Sequence, residues 1–232
     1  MSQPAHIPAH VGIIMDGNRR WAQQHGQPAI EGHRAGFEAL KRTAERALDQ
    51  GVQELSVFAF SSENWRRSRE EVEGLFDLCR WVLKNQIDEL HRQNIRVRVL
   101  GSRVDVPEDL HEQFTAAESQ TASNDRGVLN ILFNYGGRQD LVEAIRDMLR
   151  RDDLAAEEVD ENVVSQHLAT SGMRDVDLLI RTTEYRLSGF LPWESVYAEV
   201  YFQPDVLWPD FDGDELDKAL EFYGQRQRRF GT

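Results

Sequence analysis

Six short apolar runs recur along the chain, at residues 10–15, 55–60, 95–100, 128–133, 176–180 and, more weakly, 200–202. They are rich in Val, Ile, Leu and Phe and do not alternate strictly with polar residues. A strand covered on one face alternates, whereas one covered on both reads as a nearly continuous apolar run. The runs therefore predict strands buried on both faces. Between them the hydrophobic period lengthens to that of a helix. Residues 35–50 end at Gly51, a C-cap signal. Ser68-Arg69-Glu70-Glu71 is a capping box that opens a helix reaching about Arg92. Further helical stretches cover 109–121, 140–151, 162–170 and 214–225. Strands alternating with helices predict an α/β fold with a mostly parallel central sheet flanked by helices. No repeat or Gly/Ser linker breaks the pattern, so residues 1–232 read as a single domain.

Composition narrows the class. The chain has 232 residues, 40% hydrophobic and 29% charged, which suits a soluble globular protein. No run approaches 18 apolar residues, so no membrane-spanning helix is expected. The opening MSQPAHIPAH has neither the basic flank nor the apolar stretch of a signal peptide. The lone Cys79 falls in an apolar helical context and reads as a small buried hydrophobe; a reducing cytoplasm fits. A net charge of -13 argues against a nucleic-acid partner. Of 27 basic residues three are Lys (Lys41, Lys84 and Lys218), leaving 24 Arg. Arginine suits phosphate recognition, but coding bias gives the same count, so position must decide.

Position is informative at three strand tips. Ligands of parallel sheets bind at the carboxyl ends of strands. The first run ends in Asp16-Gly17-Asn18-Arg19-Arg20-Trp21. Gly17 lets the backbone turn, and the arginines suit phosphate oxygens. Asp16 repels phosphate but can meet it through Mg2+. An ordinary strand-to-helix turn with solvated arginines is the alternative. The second run ends in Ser61-Ser62-Glu63-Asn64-Trp65-Arg66-Arg67, which also reads as a helix-capping loop. The third delivers Arg181, Arg186, Leu187 and Ser188. Three such tips suggest a site for more than one diphosphate. Glu199 is a second carboxylate on an apolar segment, where a metal or an ion pair would relieve its charge. Gly136-Gly137 lacks the Gly-Lys-Ser/Thr of a P-loop. His6, His10, His25, His91, His111 and His167 lack metal-ligand spacing; His33 follows the first tip and could reach the same site.

In order along the chain stand HVGIIMDGNRRWA, GHRAG, FAFSSENW, NYGGR, DLLIRT, RLSGFLPW, YAEVYF and DVLWPDF. Together, from about Ile7 to Gly231, they resemble the cis-prenyltransferases, above all the undecaprenyl diphosphate synthase type. The resemblance implies a homodimeric α/β enzyme that condenses isopentenyl diphosphate with an allylic diphosphate. Its product would be a long-chain lipid carrier, made in the cytoplasm with transient membrane contact. Asp16 would be the catalytic aspartate and, with Glu199, a Mg2+ ligand. Gly17, Asn18, Arg19 and Arg20 would cradle the allylic diphosphate, with Trp21, His33 and Arg67 nearby. Ser61, Ser62, Glu63 and Trp65 would line the same pocket, and Asn64 would assist deprotonation. Arg181, Arg186, Leu187 and Ser188 would bind isopentenyl diphosphate. The terminal Arg229-Phe230-Gly231 matches a motif near the family's dimer interface. The helix opening at Ser68, through Val72, Leu75, Phe76, Cys79, Val82 and Leu83, would wall a tunnel for the growing chain. Small Ala59 leaves that tunnel open, while Leu132 and Phe133 would narrow it.

Three departures from the family pattern bear on substrate choice. Ala29 stands where an arginine is usual. The loop Arg181-Thr182-Thr183-Glu184-Tyr185-Arg186 is one residue short and has lost its glycine, a change that Thr183, being β-branched, would not replace. Gly189 replaces an asparagine. A short-chain or irregular prenyl synthase is the first alternative. A catalytically silent partner subunit is the second, and retention of Asp16, Asn18, Arg67 and Glu199 argues against it.

Overall fold

The computed structural model describes residues 6–226. Six strands, β1 (His10–Ile14), β2 (Glu54–Ser61), β3 (Ile95–Leu100), β4 (Gly127–Tyr135), β5 (Leu178–Thr182) and β6 (Glu199–Gln203), form one sheet of order β3-β4-β2-β1-β5-β6. Every neighbouring pair is parallel. All six apolar runs are thus strands. Inner strands β1 and β5 are buried throughout, as their unbroken hydrophobicity requires. Edge strand β6 is only half-buried, which explains its weak signal.

Seven α-helices cover the sheet: α1 (Asn18–Gln24), α2 (Ala29–Asp49), α3 (Arg69–Arg92), α4 (Glu108–Thr121), α5 (Gly137–Leu149), α6 (Glu161–His167) and α7 (Gly213–Gly224). Helices α5 and α6 shift by up to three residues from the sequence reading, and two others differ more. The seven-residue α1 has one buried residue, Ala22, too few to give a period. Helix α2 starts six residues earlier than expected. Its first two turns carry Gly32 and Gly36 where a period would show apolar side chains. A Cβ on Gly32 would stand 2.0 Å from the Asn18 carbonyl oxygen, and one on Gly36 2.2 Å from Asn18 Oδ1. The glycines let α2 lie directly on the β1–α1 turn.

The capping box is only half made. Ser68 Oγ accepts from the Glu71 N–H at 3.2 Å, but the Glu71 carboxylate goes to Arg67 instead. Fully buried Trp208 donates its ring N–H to the Gly36 carbonyl at 2.8 Å, and its backbone N–H to the Asp16 carbonyl at 3.0 Å. It thereby fastens the tip of β1 to α2. From β1 the chain passes to β2 on one side, and from the adjacent β5 to β6 on the other, so these two tips border the crevice in which open α/β sheets hold ligands.

Candidate active site

The tip of β1 is fixed by its neighbours. The Asp16 carbonyl accepts from Thr182 Oγ1 at 2.6 Å. Gly17 turns the chain with φ 110, and a Cβ there would press to 3.0 Å against both Leu207 and Thr183. The Asp16 carboxylate accepts from Arg181 Nη2 at 2.8 Å and lies 3.5 Å from Arg20 Nη2. Burial acts to raise its pKa. The Arg181 hydrogen bond, with the charges of Arg181 and Arg20, outweighs burial and holds the carboxyl below the usual range.

Asp16, Gly17, Asn18, Arg19, Arg20, His33 and Arg67 line one open cleft, with Met15, Gln23, Gln27 and Ala29. Glu71 stands behind it. Its Oε1 accepts from Arg67 at 2.8 Å and lies 3.6 Å from Arg19 and 4.0 Å from His33 Nε2. Burial first, then the charges of Arg67 and Arg19, push the His33 imidazole down to about 4. His33 is therefore neutral near neutral pH. Its Nε2 and Asn18 Oδ1 are buried without a hydrogen-bond partner.

The tip of β5 supplies the second group of cations. Arg181 is 3% exposed and donates to Ser188 Oγ at 2.7 Å and to the Arg186 carbonyl, as well as to Asp16. The Arg186 guanidinium turns outward to Glu184. Leu187 packs on the core behind the loop. Thr182, Thr183 and Glu184, which the sequence marks as the shortened loop without individual roles, prove to be parts of the site. Thr183 accepts from Arg20 Nη2, and Glu184 lies 3.6 Å from the same nitrogen.

Other expected residues lie elsewhere. The Trp21 ring N–H goes to Asp210 at 2.7 Å, on the outer side of α1. Trp65 donates to Asn134 at 2.8 Å and packs edge-on against Phe60, so it braces the turn after β2. Asn64 Oδ1 accepts the Ser61 N–H at 3.1 Å and caps the same turn. Ser62 packs against Gly136, and Glu63 is exposed.

Glu199 is not beside Asp16. The registers pair it with Leu178, which in turn pairs with Val11, whereas Asp16 follows Ile14, which pairs with Arg181. That offset of five residues is about 16 Å along the strands. Nor is Glu199 a buried bare charge: it is half-exposed, 3.9 Å from Arg226 Nε. Among the described residues no group of three His, Cys, Asp or Glu could hold a metal. The motif Arg229-Phe230-Gly231 lies outside the described residues.

The cleft opens into an apolar tunnel between α2, α3 and the sheet, and Met15, Asn18 and His33 line both. One wall is α3 through Leu75, Leu78, Cys79, Val82 and Leu83; the other is α2 through Phe37, Leu40 and Ala44. Burial pushes the Cys79 thiol up to about 12, so it is an unreactive wall residue. Ala59 faces the tunnel from an irregularity in β2, and Phe133 narrows it. Val72 and Phe76 are not in the wall. They pack behind it, in the same core cluster as the lining residues Phe60, Leu75 and Phe133. Leu132 points to the other side of the sheet. The far end is rimmed by Lys41, Glu45, Gln86, Glu89 and Gln93.

A family model described as undecaprenyl diphosphate synthase matches residues 14–231. The chain belongs to the cis-prenyltransferase family. It is 45% identical over 230 residues to an isoprenyl transferase of Agrobacterium fabrum, covering 97% of this chain and 93% of that one. It is 42% identical over 232 residues to the Escherichia coli ditrans,polycis-undecaprenyl-diphosphate synthase specific for (2E,6E)-farnesyl diphosphate, covering 98% and 91%. Its fold superposes with a TM-score of 0.93 on lavandulyl diphosphate synthase from Lavandula x intermedia in complex with dimethylallyl diphosphate, at 35% identity over 97% of this chain and 99% of that one.

As a cis-prenyltransferase the chain shows its departures inside the site. Ala29 lines the cationic cleft. Thr183 adopts the left-handed conformation, φ 66, despite its branched Cβ. The expectation that it would resist that geometry fails: the loop keeps the turn and accepts local strain of about 1–3 kcal/mol.

Proposed function

We propose that the protein condenses isopentenyl diphosphate with an allylic diphosphate and repeats the step to give a long-chain polyprenyl diphosphate. One observation carries this: a cationic cleft runs directly into an apolar tunnel, with Asn18 and His33 at the junction. Such a site suits a molecule with an anionic head and a hydrocarbon tail. Arg19, Arg20 and Arg67 hold the allylic diphosphate, with Gly17 and Asn18, and stabilise the charge that grows on it as its bond to C1 breaks. Arg181 and Ser188 hold the second diphosphate and bring its double bond to C1; Arg186 swings in from Glu184. A proton then leaves C2. Asn64, an amide whose Oδ1 already accepts a hydrogen bond, orients this region rather than abstracting the proton.

Mg2+ fits Asp16 as a shared ligand. Its carboxylate is ionised, and Mg2+ commonly takes one or two carboxylates together with substrate phosphates. When bound, the ion supplies charge neutralisation at the leaving diphosphate. Glu199 is too far away to join it within one chain and would reach it only from a second copy, which agrees with a homodimer. Mixing Asp16→Ala with Glu199→Ala tests this. Each variant is inactive alone, and random pairing of subunits restores about a quarter of wild-type activity through one intact site per mixed dimer. No recovery after verified subunit exchange rejects the shared site. The lipidic product and lone cysteine suit a cytoplasmic enzyme that touches the membrane to release product.

A second reading is favoured by the shortened Arg181–Arg186 loop and the likeness to lavandulyl diphosphate synthase: irregular coupling of two allylic units. Incubation with isopentenyl diphosphate and an allylic primer, or with dimethylallyl diphosphate alone, followed by product mass analysis, separates the two. Regular elongation from a primer supports the first reading. Product from dimethylallyl diphosphate alone supports the second.

A further inference from the structure

Helix α3 is undercut on both flanks, and Trp81 stands exposed on the ridge between them. On the α2 side an outer groove is lined by Trp21, Ile30, Phe37, Leu78 and Trp81. On the α4 side a second groove is lined by Trp81, Leu83, Lys84 and Ile87. Phe37 and Leu78 of the first groove, and Leu83 and Ile87 of the second, also line the tunnel. One layer of side chains therefore separates the bore from the outer surface of α3. Trp81 is 47% exposed, and its ring meets Phe37 edge-on with 6.0 Å between centroids. Lys41 Nζ lies 6.0 Å from the centre of the same Phe37 ring, and Lys84 is one turn beyond Trp81 on the same face of α3. Both lysines are exposed, and the chain has only one other, Lys218. Of the three, only Lys218 pairs with a carboxylate among the described residues. Of the acids in the first groove, Glu31 is paired with Arg34 and Asp77 with Arg80, which leaves Glu38; the second groove has none.

An indole and two amines around an apolar seam match the boundary between water and a bilayer. The ring sits at the headgroup level, and the amines meet lipid phosphates. The net charge of -13 opposes a general attraction to an anionic surface, so any attraction has to be local, and this ridge supplies it. No helix among the described residues is long and apolar enough to cross a membrane, so the contact is made at the surface. We infer that the Trp81 ridge of α3 docks on an anionic phospholipid bilayer and lays the thin side wall of the tunnel, at Phe37 and Leu78, against the lipid. A finished chain then leaves sideways, from one apolar medium into another, rather than back through the cationic cleft. This release role rests on the reading that a prenyl chain grows in the tunnel; the docking does not.

The test is co-sedimentation of the full chain with vesicles of equal parts phosphatidylglycerol and phosphatidylcholine, and with phosphatidylcholine alone. Wild type binds the anionic vesicles more tightly, and less so as salt rises. Lys84→Glu weakens that binding at least about fivefold, and Trp81→Ala combined with Lys84→Glu at least about tenfold. Both side chains are exposed, so the variants keep the wild-type fold, which thermal melting checks. Brominated acyl chains quench the emission of wild type more than that of Trp81→Phe. Equal affinity of wild type and the double variant, or equal binding of wild type to the two kinds of vesicle, overturns the docking face. A double variant that is monomeric where wild type is dimeric overturns it too, because a second copy then covers the ridge. For release, anionic vesicles speed multiple turnover by the wild type and leave its single-turnover rate unchanged. The double variant keeps that single-turnover rate and loses the stimulation. Equal stimulation of both proteins overturns the sideways exit. Absence of prenyl transfer in the wild type would instead reject the functional reading and leave vesicle binding to decide the ridge.

Discussion

Arg181 Nη2 donates to Asp16 Oδ2 at 2.8 Å, joining the tips of β5 and β1 through their own side chains. Each partner is one that a substrate complex would reclaim, the acid for a cation and the base for a diphosphate. Asp16→Asn keeps an acceptor for Arg181 but removes the charge proposed to hold Mg2+. Turnover should fall at least about a thousandfold, roughly 4 kcal/mol of transition-state stabilisation. Stability should change by no more than about 1–2 kcal/mol, because buried Arg181 keeps Ser188 and the Arg186 carbonyl. A single-turnover assay and denaturant unfolding check the two halves. Activity within about tenfold of wild type rejects the metal role.

His33 offers a pH prediction. With its pKa at about 4, it stays neutral across the physiological range in the free enzyme. Its neutral form contributes stability that is present above the unfolded value near 6.5 and is lost as pH falls toward about 4, on the order of 3 kcal/mol in all. A diphosphate between Arg19 and Arg67 cancels two of the three effects that depress it. The imidazole should then titrate at higher pH in the complex. NMR titration of the ring with and without an inert diphosphate analogue measures this. An unchanged midpoint would show that the diphosphate binds elsewhere.

Much of the fold could be read because burial on both faces leaves a direct mark, the unbroken apolar runs of β1 and β5. Other features left weaker marks. Gly32 and Gly36 serve a close approach to Asn18, which no hydrophobic period encodes. The period of α3 shows that apolar stripes exist but not which one faces the tunnel, so Val72 and Phe76 were misassigned and Leu78 passed over. The position of Glu199 depends on strand register, and register is a property of pairing rather than of local sequence. Glu71 looked like a capping residue alone, because its second role needs Arg19, His33 and Arg67 gathered in space.

The Thr183 turn gives a third prediction. Replacing Thr183 with Gly-Gly restores the loop length and relieves the left-handed strain. It also releases Arg20 from the threonine hydroxyl. Isopentenyl diphosphate should bind more tightly, by about 1–2 kcal/mol or roughly five- to thirtyfold in Kd. Calorimetric titration of the folded variant measures it. Unchanged or weaker binding would show the short loop to be fitted to another acceptor, and would strengthen the irregular-coupling reading.

The tunnel gives a fourth. Val82 lies half-exposed in the α3 wall, opposite α2. Val82→Trp places an indole across the bore, and the dominant product should shorten to a few isoprene units while the KM of a short primer is retained. Chromatography of the dephosphorylated products reads the change. A product distribution identical to wild type would mean that the chain does not grow along this path.

Helices α2 and α3 face each other across this bore, where most helix pairs would interlock their side chains. Leu40, Leu78 and Val82 thus have the chemistry of core residues but lack neighbours to fill the space between them. The hydrocarbon of a substrate is the missing packing material, and each isoprene unit seated there adds contacts that the bare chain lacks. The protein should therefore melt at rising temperature as its own product lengthens, in proportion to occupancy. A mature chain that packs so well would leave slowly, and the lipid or detergent that draws it out would set the pace of the cycle.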